Sequence, residues 1–438
     1  MHIDRRAVLK GALAAGAATA SAPSAGKVSP QPFPRGFLWG AATAGHQVEG
    51  NNTNSDVWAV EHLTPTSFAE SSGDACDSFH RWPVDMDIVK SLDLNCYRFS
   101  LEWARIEPAK GEFSSAMLDH YKAMIEGCRA RGLAPVVTFS HFSCPRWFSE
   151  IGGWTSADAP HLFARFCERA ARHMAGGIHS VVTLNEPNLM RLLRFKLPPA
   201  ALAGAGAIRA AAAKAYDAPD FVAQFIESVK QTEQIVPIMI EAHRLGKAAI
   251  KSVRLNLPVG MSLAIEDDQE FGPESLRNEK RRYCYEPWLL AARADDFVGV
   301  QNYERARIDK RGQMPPPSDA LMTSRGTEIY PASLAGAVTY AWESAMVPIL
   351  VTEHGIGTSD DRQRATFIPA ALRELKRAMD NGVQVRGYVH WSLLDNFEWV
   401  FGYEPKFGLV AVDRTDFKRT PKPSASVLAA IARHNDIS

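Results

Sequence analysis

Short apolar segments recur along the chain and alternate with longer stretches in which apolar residues follow helical spacing. Each short segment has the length and composition of a strand that is buried on both faces. Eight such segments are present, at 37–41, 96–100, 135–139, 181–184, 259–263, 297–300, 349–352 and 385–389.

The stretches between these segments predict helices, and the alternation predicts the fold class. Helical spacing is clearest at 118–131, 162–174, 221–253 and 366–379, with a kink expected at Pro237 in the third stretch. Buried strands that alternate with helices form a parallel sheet, and eight repeats favour a closed barrel over an open one. An open doubly wound sheet also needs a glycine-rich phosphate turn after its first strand, which is not present. We therefore predict an α/β fold, a single (β/α)8 TIM barrel over residues 30–438 with extended loops at its C-terminal face.

Polar residues cluster at the ends of these predicted strands. In a (β/α)8 barrel such positions open onto the carboxyl end of the strands, where active sites are built. They are Gln47 and Glu49 after the first segment, His141 after the third, Asn185 and Glu186 after the fourth, Asn302 and Tyr303 after the sixth, Glu353 and His354 after the seventh, and Trp391 after the eighth.

Two of these residues are carboxylates on strands that lie across the barrel mouth from each other. Glu186 follows the fourth segment and Glu353 the seventh, so their side chains are able to converge on one cleft. Two facing carboxyls suit glycoside cleavage, in which one protonates the departing oxygen and the other attacks the anomeric carbon. Like-charge repulsion then raises the proton affinity of one of them. The alternative, in which each caps a strand end or pairs with a surface base, is less favoured beside Asn185, Arg98 and Tyr303.

Arg98 and the segment 391–399 each allow two interpretations. A charge inside an apolar strand is costly unless it is paired, so Arg98 either keeps the nucleophile ionised or forms a structural ion pair with Glu102 or another acid. Trp391, Glu398 and Trp399 offer a sugar a stacking face and a hydroxyl acceptor, although aromatic strand ends are often simply core.

Composition excludes several classes of protein. The 438 residues are 46% apolar and 22% charged, and 49 basic residues balance 49 acidic ones, so a nucleic-acid partner is not expected. No metal site is predicted, because His-rich ligand spacings are missing, and no cofactor is expected. No internal apolar run is long enough for a membrane span. The spacing of the six cysteines includes no C-x-x-C motif, and most of them are predicted to be buried in the core.

The first residues have the pattern of a twin-arginine export signal. Arg5 and Arg6 precede an alanine-rich, weakly apolar run at 7–22 that ends in small residues. We predict that residues 1–25 are removed, that the precursor uses the twin-arginine export machinery, and that the mature protein is periplasmic or secreted. The alternative is a charged helix start that belongs to the fold.

Together these residues resemble glycoside hydrolase family 1, the family of retaining β-glucosidases, from about residue 33 to residue 428. The resemblance rests on the motif Asn185-Glu186-Pro187 together with matching segments elsewhere in the chain. Those segments are 37–44, Gln47-Val48-Glu49-Gly50, Tyr97-Arg98-Phe99-Ser100, Val351-Thr352-Glu353 and 391–399.

The resemblance implies a role for each matching residue. Glu186 would be the acid/base and Glu353 the nucleophile, and Tyr303 and Arg98 would position and tune Glu353. The subsite for the non-reducing sugar would be lined by Gln47, His141, Asn185, Trp391, Glu398 and Trp399. Glu398 followed by Trp399 is similar to the branch of the family that acts on unphosphorylated sugars.

Four features of the sequence depart from the family pattern. His354 replaces the usual Asn after the nucleophile, and we expect its ring to change the local field on Glu353. Gln301-Asn302 replaces Asn-Tyr before Tyr303, and Phe142 stands where Trp is common. The stretch 191–215 is alanine-rich and unlike the usual loop, so acceptor preference does not carry over.

The function expected from the sequence is an exported β-glucosidase that hydrolyses O-linked β-D-glucosides by double displacement. Three alternatives stay open. The first is a preference for β-galactosides or β-fucosides. The second is transfer of the sugar to another alcohol by the same mechanism. The third is a catalytically decayed barrel that only binds sugars.

Overall fold

Eight parallel strands close into a barrel in the computed structural model, which describes residues 32–197, 202–323 and 326–437. Going round the barrel the strand order is β1-β8-β7-β6-β5-β4-β3-β2. The prediction of a (β/α)8 barrel is therefore confirmed. The strands are β1 (Leu38–Ala42), β2 (Cys96–Ser100), β3 (Ala134–Ser140), β4 (Ser180–Asn185), β5 (Val259–Ala264), β6 (Val298–Asn302), β7 (Ile349–His354) and β8 (Val385–His390).

An outer layer of helices covers the barrel. The main helix after each strand is α1 (Ser78–Ser91), α2 (Ser115–Ala130), α3 (Ala159–Met174), α4 (Val229–Val253), α5 (Glu286–Ala292), α6 (Ser333–Ala345), α7 (Asp361–Asp380) and α8 (Pro423–His434). Shorter helices in the connecting segments are Gly45–Val48, Asp56–Glu61, Trp103–Ile106, Arg146–Glu150, Leu189–Lys196, Ala205–Ala215 and Arg277–Cys284. Additional strands at Asp267–Glu270, Arg305–Asp309, Gly312–Gln313, Val410–Val412 and Arg419–Pro421 form two small sheets beside the barrel.

Small and branched side chains fill the barrel interior. Cys96, Val136, Val182 and Leu350 come from four different strands and pack there with Phe297, which directly precedes β6. The opposite faces of the strands pack on the helices in a larger core. The interior is thus a packed core at its lower levels, as barrels of this size require, and leaves the carboxyl end for polar side chains.

Two bulges break the regular alternation of side chains just where the predicted catalytic carboxylates lie. The register between β4 and β5 shifts between Val182 and Asn185, and the register between β7 and β6 shifts between Val351 and Glu353. An extra residue in a strand turns the following side chain to the other face. Asn185 therefore faces the barrel axis although it is three residues after the inward-facing Val182.

All eight predicted strands are present, with ends that differ by at most two residues. The predicted start of the helix at 221–253 is wrong, because α4 begins at Val229. Ser228 forms a capping box with Gln231, which fixes the start, and Pro237 lies inside the helix. Residues 221–228 instead pack at the barrel mouth.

The remaining expectations concern the cysteines, membrane spans and the chain start. All six cysteines are buried and none forms a disulfide. Within the described ranges, no helix has both the length and the apolar character to cross a bilayer. The predicted export signal at 1–25 lies outside the described residues.

Candidate active site

The ten residues singled out from the sequence lie at the carboxyl end of the barrel. Arg98, Asn185 and Glu353 belong to β2, β4 and β7, and His141, Glu186, Tyr303 and Trp391 directly follow β3, β4, β6 and β8. Gln47 lies on the short helix after β1, and Glu398 and Trp399 lie in the segment between β8 and α8. One cleft therefore receives side chains from seven of the eight strands or the segments after them.

Glu353 is held by two hydrogen-bond donors, one for each carboxyl oxygen. Arg98 Nη1 donates to Oε1 at 2.5 Å and the Tyr303 hydroxyl donates to Oε2 at 2.6 Å. The Glu353 side chain is nearly inaccessible to solvent, which strengthens both charge-assisted contacts. Its orientation is thus fixed from two other strands.

Arg98 links Glu353 to β4 and β3. Its Nη2 donates to Asn185 Oδ1 at 2.5 Å and its Nε donates to Thr138 Oγ1 at 3.1 Å. The side chain is fully buried, and Glu353 is its ion-pair partner. The alternative pairing with Glu102 is wrong, because Glu102 instead accepts hydrogen bonds from neighbouring amide and hydroxyl groups.

Glu186 has a different environment from Glu353. No group in the described parts of the chain donates a hydrogen bond to its carboxyl, although the residue is 8% exposed and faces the same cleft. Burial raises the pKa of Glu186 well above its usual range, and the negative charge of Glu353 adds to this effect. The positive charge of Arg98 opposes it only in part.

The protonation states of the neighbours follow from their contacts. Burial also raises the pKa of Glu353, but Arg98 and hydrogen bonds from Tyr303 and Gln301 counteract the rise. The pKa of Tyr303 is well above its usual value because the phenol is buried beside carboxylates, so its hydroxyl remains a donor. Of the two carboxyls, Glu186 is therefore the one that retains a proton and Glu353 the one that is stabilised as an anion.

Aromatic rings and amide groups form one wall of the cleft. The His141 ring stacks on Trp391 with 5.7 Å between centroids and on Trp399 with 6.1 Å. Burial and the charge of Arg98 lower the pKa of His141 well below its usual range, so the ring is neutral. Trp391 Nε1 donates to Glu398 Oε1 at 3.3 Å, and burial raises the pKa of Glu398 well above its usual range.

Several buried polar atoms at this wall have no hydrogen-bond partner among the residues in the described ranges. Gln47 uses its amide nitrogen to bind Asn396 Oδ1 and the Phe397 carbonyl, while its Oε1 has no hydrogen bond. His141 Nδ1 is similarly unpaired, since Nε2 is the atom that contacts Asn185. Buried polar atoms without partners are rare in folded proteins, so these atoms are candidates for hydrogen bonds to a bound ligand.

Gln301 is a site residue that the sequence analysis did not select. It lies on β6, its Nε2 donates to Asn185 Oδ1 at 2.7 Å, and its Oε1 is buried without a partner. The available signal was its position two residues before Tyr303, which places both side chains on the inner face of a strand.

His354 does not face the catalytic cleft. Its Nδ1 contacts the Tyr388 hydroxyl at 2.9 Å and its ring stacks on Phe367 of α7, on the outer side of the barrel. Burial lowers the pKa of His354 to about 3, so the ring is uncharged at neutral pH. The expectation that His354 changes the field on Glu353 is therefore wrong, because strand alternation sends the two side chains to opposite faces.

The geometry provides two carboxyls with separated proton affinities beside a polar pocket. Within the residues that the structure describes, no group of three or more His, Cys, Asp or Glu side chains is arranged to bind a metal ion. The chemistry available from these side chains is proton transfer and nucleophilic attack at one carbon.

Comparison with known proteins agrees with this geometry. A family model described as glycosyl hydrolase family 1 matches residues 29–263 and 293–437. The solved β-glycosidase BGL167 is 45% identical, with a TM-score of 0.87, and the match covers 92% of this chain and 97% of that protein. The solved apo β-glucosidase 1317 is 41% identical, with a TM-score of 0.87 and coverage of 91% and 98%. Thermostable β-glucosidase B from Thermobispora bispora is 29% identical over 99% of this chain and 96% of its own length.

The match therefore extends over nearly the whole chain and includes the strands that carry both carboxylates. Residues 264–292, which begin at the last residue of β5, lie outside the two matched ranges. The chain belongs to glycosyl hydrolase family 1 and is a glycoside hydrolase of the β-glycosidase type.

Proposed function

We propose that this enzyme hydrolyses β-D-glucosides by double displacement through a covalent glycosyl-enzyme. Glu186 protonates the glycosidic oxygen while Glu353 attacks the anomeric carbon, and Glu186 then removes a proton from the water that releases the sugar. The observation that carries this proposal is the contrast between the two carboxyls. Glu353 has Arg98 and Tyr303 on its two oxygens, whereas Glu186 is buried and receives no hydrogen bond from any residue that the structure describes.

The sugar at the non-reducing end is proposed to bind between Gln47, His141, Asn185, Trp391, Glu398 and Trp399. The unpaired atoms Gln47 Oε1 and His141 Nδ1 support this placement, because sugar hydroxyls would satisfy them. Glucose is the proposed sugar since relatives along the whole chain are named β-glucosidases. Galactose and fucose are the alternatives that a substrate panel distinguishes.

Substitution of each carboxyl tests the assignment. We expect Glu353→Gln to lower kcat on nitrophenyl β-glucoside by several orders of magnitude, because the attacking atom is lost. Undiminished turnover by that variant would contradict the nucleophile assignment. Methanolysis should yield methyl β-glucoside, and the α-anomer would overturn the retaining mechanism.

The same panel separates the alternative functions. Nitrophenyl glucosides, galactosides and fucosides rank the sugar preference, and product analysis at high methanol concentration separates hydrolysis from transfer. A decayed binding barrel would bind these glycosides without releasing nitrophenol. The presence of Glu186, Glu353, Arg98 and Tyr303 together supports an active enzyme, because loss of any one would impair the chemistry.

We also propose that the precursor is exported by the twin-arginine route and acts outside the cytoplasm. The proposal rests on Arg5, Arg6 and the alanine-rich run that follows them. Replacing both arginines by lysine should retain the precursor in the cytoplasm. Unchanged export of that double variant would contradict the proposal.

A further inference from the structure

Five charged side chains form a buried or half-buried cluster beside the catalytic cleft. Two are lysines and three are carboxylates, and they come from the segments that follow β4, β5 and β6. We call them the ion cluster, which consists of Lys196, Glu266, Asp268, Lys280 and Glu304. The ion cluster therefore joins three of the segments at the carboxyl end of the barrel.

Each lysine of the ion cluster bridges two carboxylates. Lys280 Nζ donates to Asp268 Oδ1 at 2.6 Å and also to Glu266 Oε2. Lys196 Nζ donates to Glu266 Oε1 at 3.2 Å and also to Glu304 Oε1. Both lysines share Glu266, so the contacts continue without a break from Asp268 to Glu304.

The members of the ion cluster keep one another charged. Burial by itself would raise the pKa of Glu266, but the positive charges of Lys280 and Lys196 outweigh burial and lower this pKa to about 2. Burial would likewise lower the pKa of Lys280, but Glu266 and Asp268 raise it above its usual value. Arg281 Nε lies 3.7 Å from Asp268 Oδ2 and supplies a third positive charge. Removing one member leaves a buried charge without its partner, so the arrangement is strongly enforced.

The backbone on both sides of Tyr303 is attached to the segment after β5. The Glu304 carbonyl accepts hydrogen bonds from Asp267 N at 3.2 Å and from Asn302 Nδ2 at 3.1 Å. Asn302 Nδ2 also donates to the Ile265 carbonyl at 2.9 Å. Tyr303 therefore lies between two anchored residues, and one of them, Glu304, belongs to the ion cluster.

The same segment after β5 also holds the part of the chain that follows Glu186. Asn188 Nδ2 donates to the Ala264 carbonyl at 2.7 Å, and Asn188 Oδ1 accepts from Ala264 N at 3.0 Å. Leu189 donates its backbone N–H to the Glu186 carbonyl at 3.0 Å and begins the short helix that ends at Lys196. Asn188 and Lys196 thus anchor the two ends of that helix.

We propose that Lys196 and Glu304 are positioning residues. Their ion pair holds the Tyr303 hydroxyl against Glu353 and fixes the distance from this pair to Glu186. The reaction tolerates little displacement, because a shift of about 1 Å in a reacting group is able to cost about 10² in rate. This inference rests on the proposed function, because it takes Glu353 as the nucleophile.

The test removes the charge of Lys196 and follows the ionisation of Glu353. We expect Lys196→Met to lower kcat/KM on nitrophenyl β-glucoside about tenfold and to move its low-pH fall upward by about half a pH unit or more. The reason is that a misplaced Tyr303 hydroxyl no longer stabilises the Glu353 anion, so the pKa of Glu353 rises. Tyr303→Phe, which removes the hydrogen bond, should move the fall by about one to two pH units. Lys196→Arg, which keeps the charge, should restore most of the wild-type profile.

Glu304→Gln separates positioning from a direct effect of charge. Loss of a positive charge at Lys196 would by itself raise the pKa of Glu353, whereas loss of a negative charge at Glu304 would lower it. Loss of position instead moves the low-pH fall upward in both variants. Shifts in opposite directions, or no shift in either variant, would overturn the proposal.

Two further comparisons exclude a general loss of stability. Lys251 forms an ion pair with Asp296 at 2.7 Å, and its side chain is 19% exposed against 26% for Lys196. Asp296 Oδ2 accepts from Val259 N at the start of β5, so this pair lies at the amino end of the barrel. Lys251→Met should therefore leave the pH profile unchanged, and a shift equal to that of Lys196→Met would contradict the proposal. Adding Lys196→Met to Tyr303→Phe should cause no further shift, and additive shifts would likewise contradict it.

A binding measurement separates this inference from the proposed function. Deoxynojirimycin is a cationic sugar analogue that is not turned over, and its affinity should fall at low pH as Glu353 gains a proton. This fall should move to higher pH in both Lys196→Met and Glu304→Gln. Such a shift without hydrolysis by the wild type would support the role of the ion cluster and contradict the hydrolase. Hydrolysis by the wild type with unshifted profiles in both variants would contradict the role of the ion cluster alone.

Discussion

At the scale of single residues, the two carboxyls of the site differ in the donors that surround them. Glu353 accepts hydrogen bonds from Arg98 and Tyr303, whereas the carboxyl of Glu186 is buried close to the negative charge of Glu353. The two donors stabilise the anionic form of Glu353, and burial together with the nearby negative charge destabilises the anionic form of Glu186. The proton of the pair therefore resides on Glu186 between the pH at which Glu353 ionises and the higher pH at which Glu186 does.

The pH profile of activity should report this division. Activity requires protonated Glu186 and ionised Glu353, so kcat/KM should fall at high pH as Glu186 loses its proton and at low pH as Glu353 gains one. In Glu186→Gln the high-pH fall should disappear, and kcat on an alkyl glucoside should drop by about 10² to 10⁴. A variant that keeps the high-pH fall would show that another group supplies the proton.

Gln301 should act as a positioning residue for both Asn185 and Glu353. Its amide donates to Asn185 and helps to stabilise the Glu353 anion. Gln301→Met keeps the length of the side chain and removes the amide, so the pKa of Glu353 should rise and the low-pH fall of kcat/KM should move to higher pH. Gln301→Asn, which retains an amide, should shift it less. An unmoved low-pH limb in Gln301→Met would mean that Gln301 has only a packing role.

The sequence predicted the partners of Glu353 better than it predicted the direction in which the side chain of His354 points. Arg98 was identified because a buried charge needs a partner, Tyr303 was identified through the family resemblance, and both contacts exist. The side chain of His354 points to the outer face, which depends on the backbone of β7 around Glu353. Strand alternation alone sends the side chain that follows Glu353 to the opposite face, so the sequence did contain the signal for the direction of His354.

At the scale of elements, the bulges in β4 and β7 determine how the site is assembled. Each shifts the register just before Asn185 and Glu353, respectively. In a regular strand, side chains alternate strictly between the barrel axis and the outer face. A bulge interrupts this alternation, so the bulges determine which side chains reach the barrel axis. The apolar pattern predicted the strands, but it contained no information about the extra residues.

Asp56 joins two of the segments that frame the barrel mouth. It begins the helix Asp56–Glu61 after β1, and its carboxyl accepts hydrogen bonds from Cys144 N at 2.8 Å and from the Ser149 hydroxyl at 2.9 Å, both after β3. Burial raises its pKa from 3.8 to about 7. The folded protein thus holds this carboxyl protonated at a pH where the unfolded chain has released the proton.

The free energy of unfolding should depend on this proton. Because the folded pKa is raised, the contribution of Asp56 is fully present below pH 3.8 and is lost as the pH rises to about 7. Asp56→Asn should make the slope of unfolding free energy against pH less negative in this window by up to about 1.4 kcal/mol per pH unit. Denaturant unfolding at several pH values measures the slope, and the exposed Asp319 provides a matched control as Asp319→Asn. Equal slopes in wild type and Asp56→Asn would refute this role.

At the scale of the whole molecule, packing and chemistry occupy different levels of the same barrel. The lower interior is filled by apolar side chains such as Val136, Val182 and Leu350, and the carboxyl end carries the charged and aromatic groups. The regular part of the barrel could be predicted because its strands and helices follow simple apolar periods. The segment between Glu186 and α4 could not, because apolar residues such as Ile208, Phe221 and Ile226 pack in a separate core outside the barrel and follow no single regular period.

Trapping of the glycosyl-enzyme tests most directly whether Glu353 attacks the sugar while Glu186 transfers the proton. The protein is incubated with 2,4-dinitrophenyl 2-deoxy-2-fluoro-β-glucoside, whose fluorine slows both steps while the good leaving group preserves the first. Mass spectrometry of the digested protein should find one fluoroglucosyl group, on the peptide that contains Glu353, and none in Glu353→Gln. A label on any other residue, or turnover of ordinary glucosides with inversion and no label at all, would contradict the assignment of Glu353 as the nucleophile.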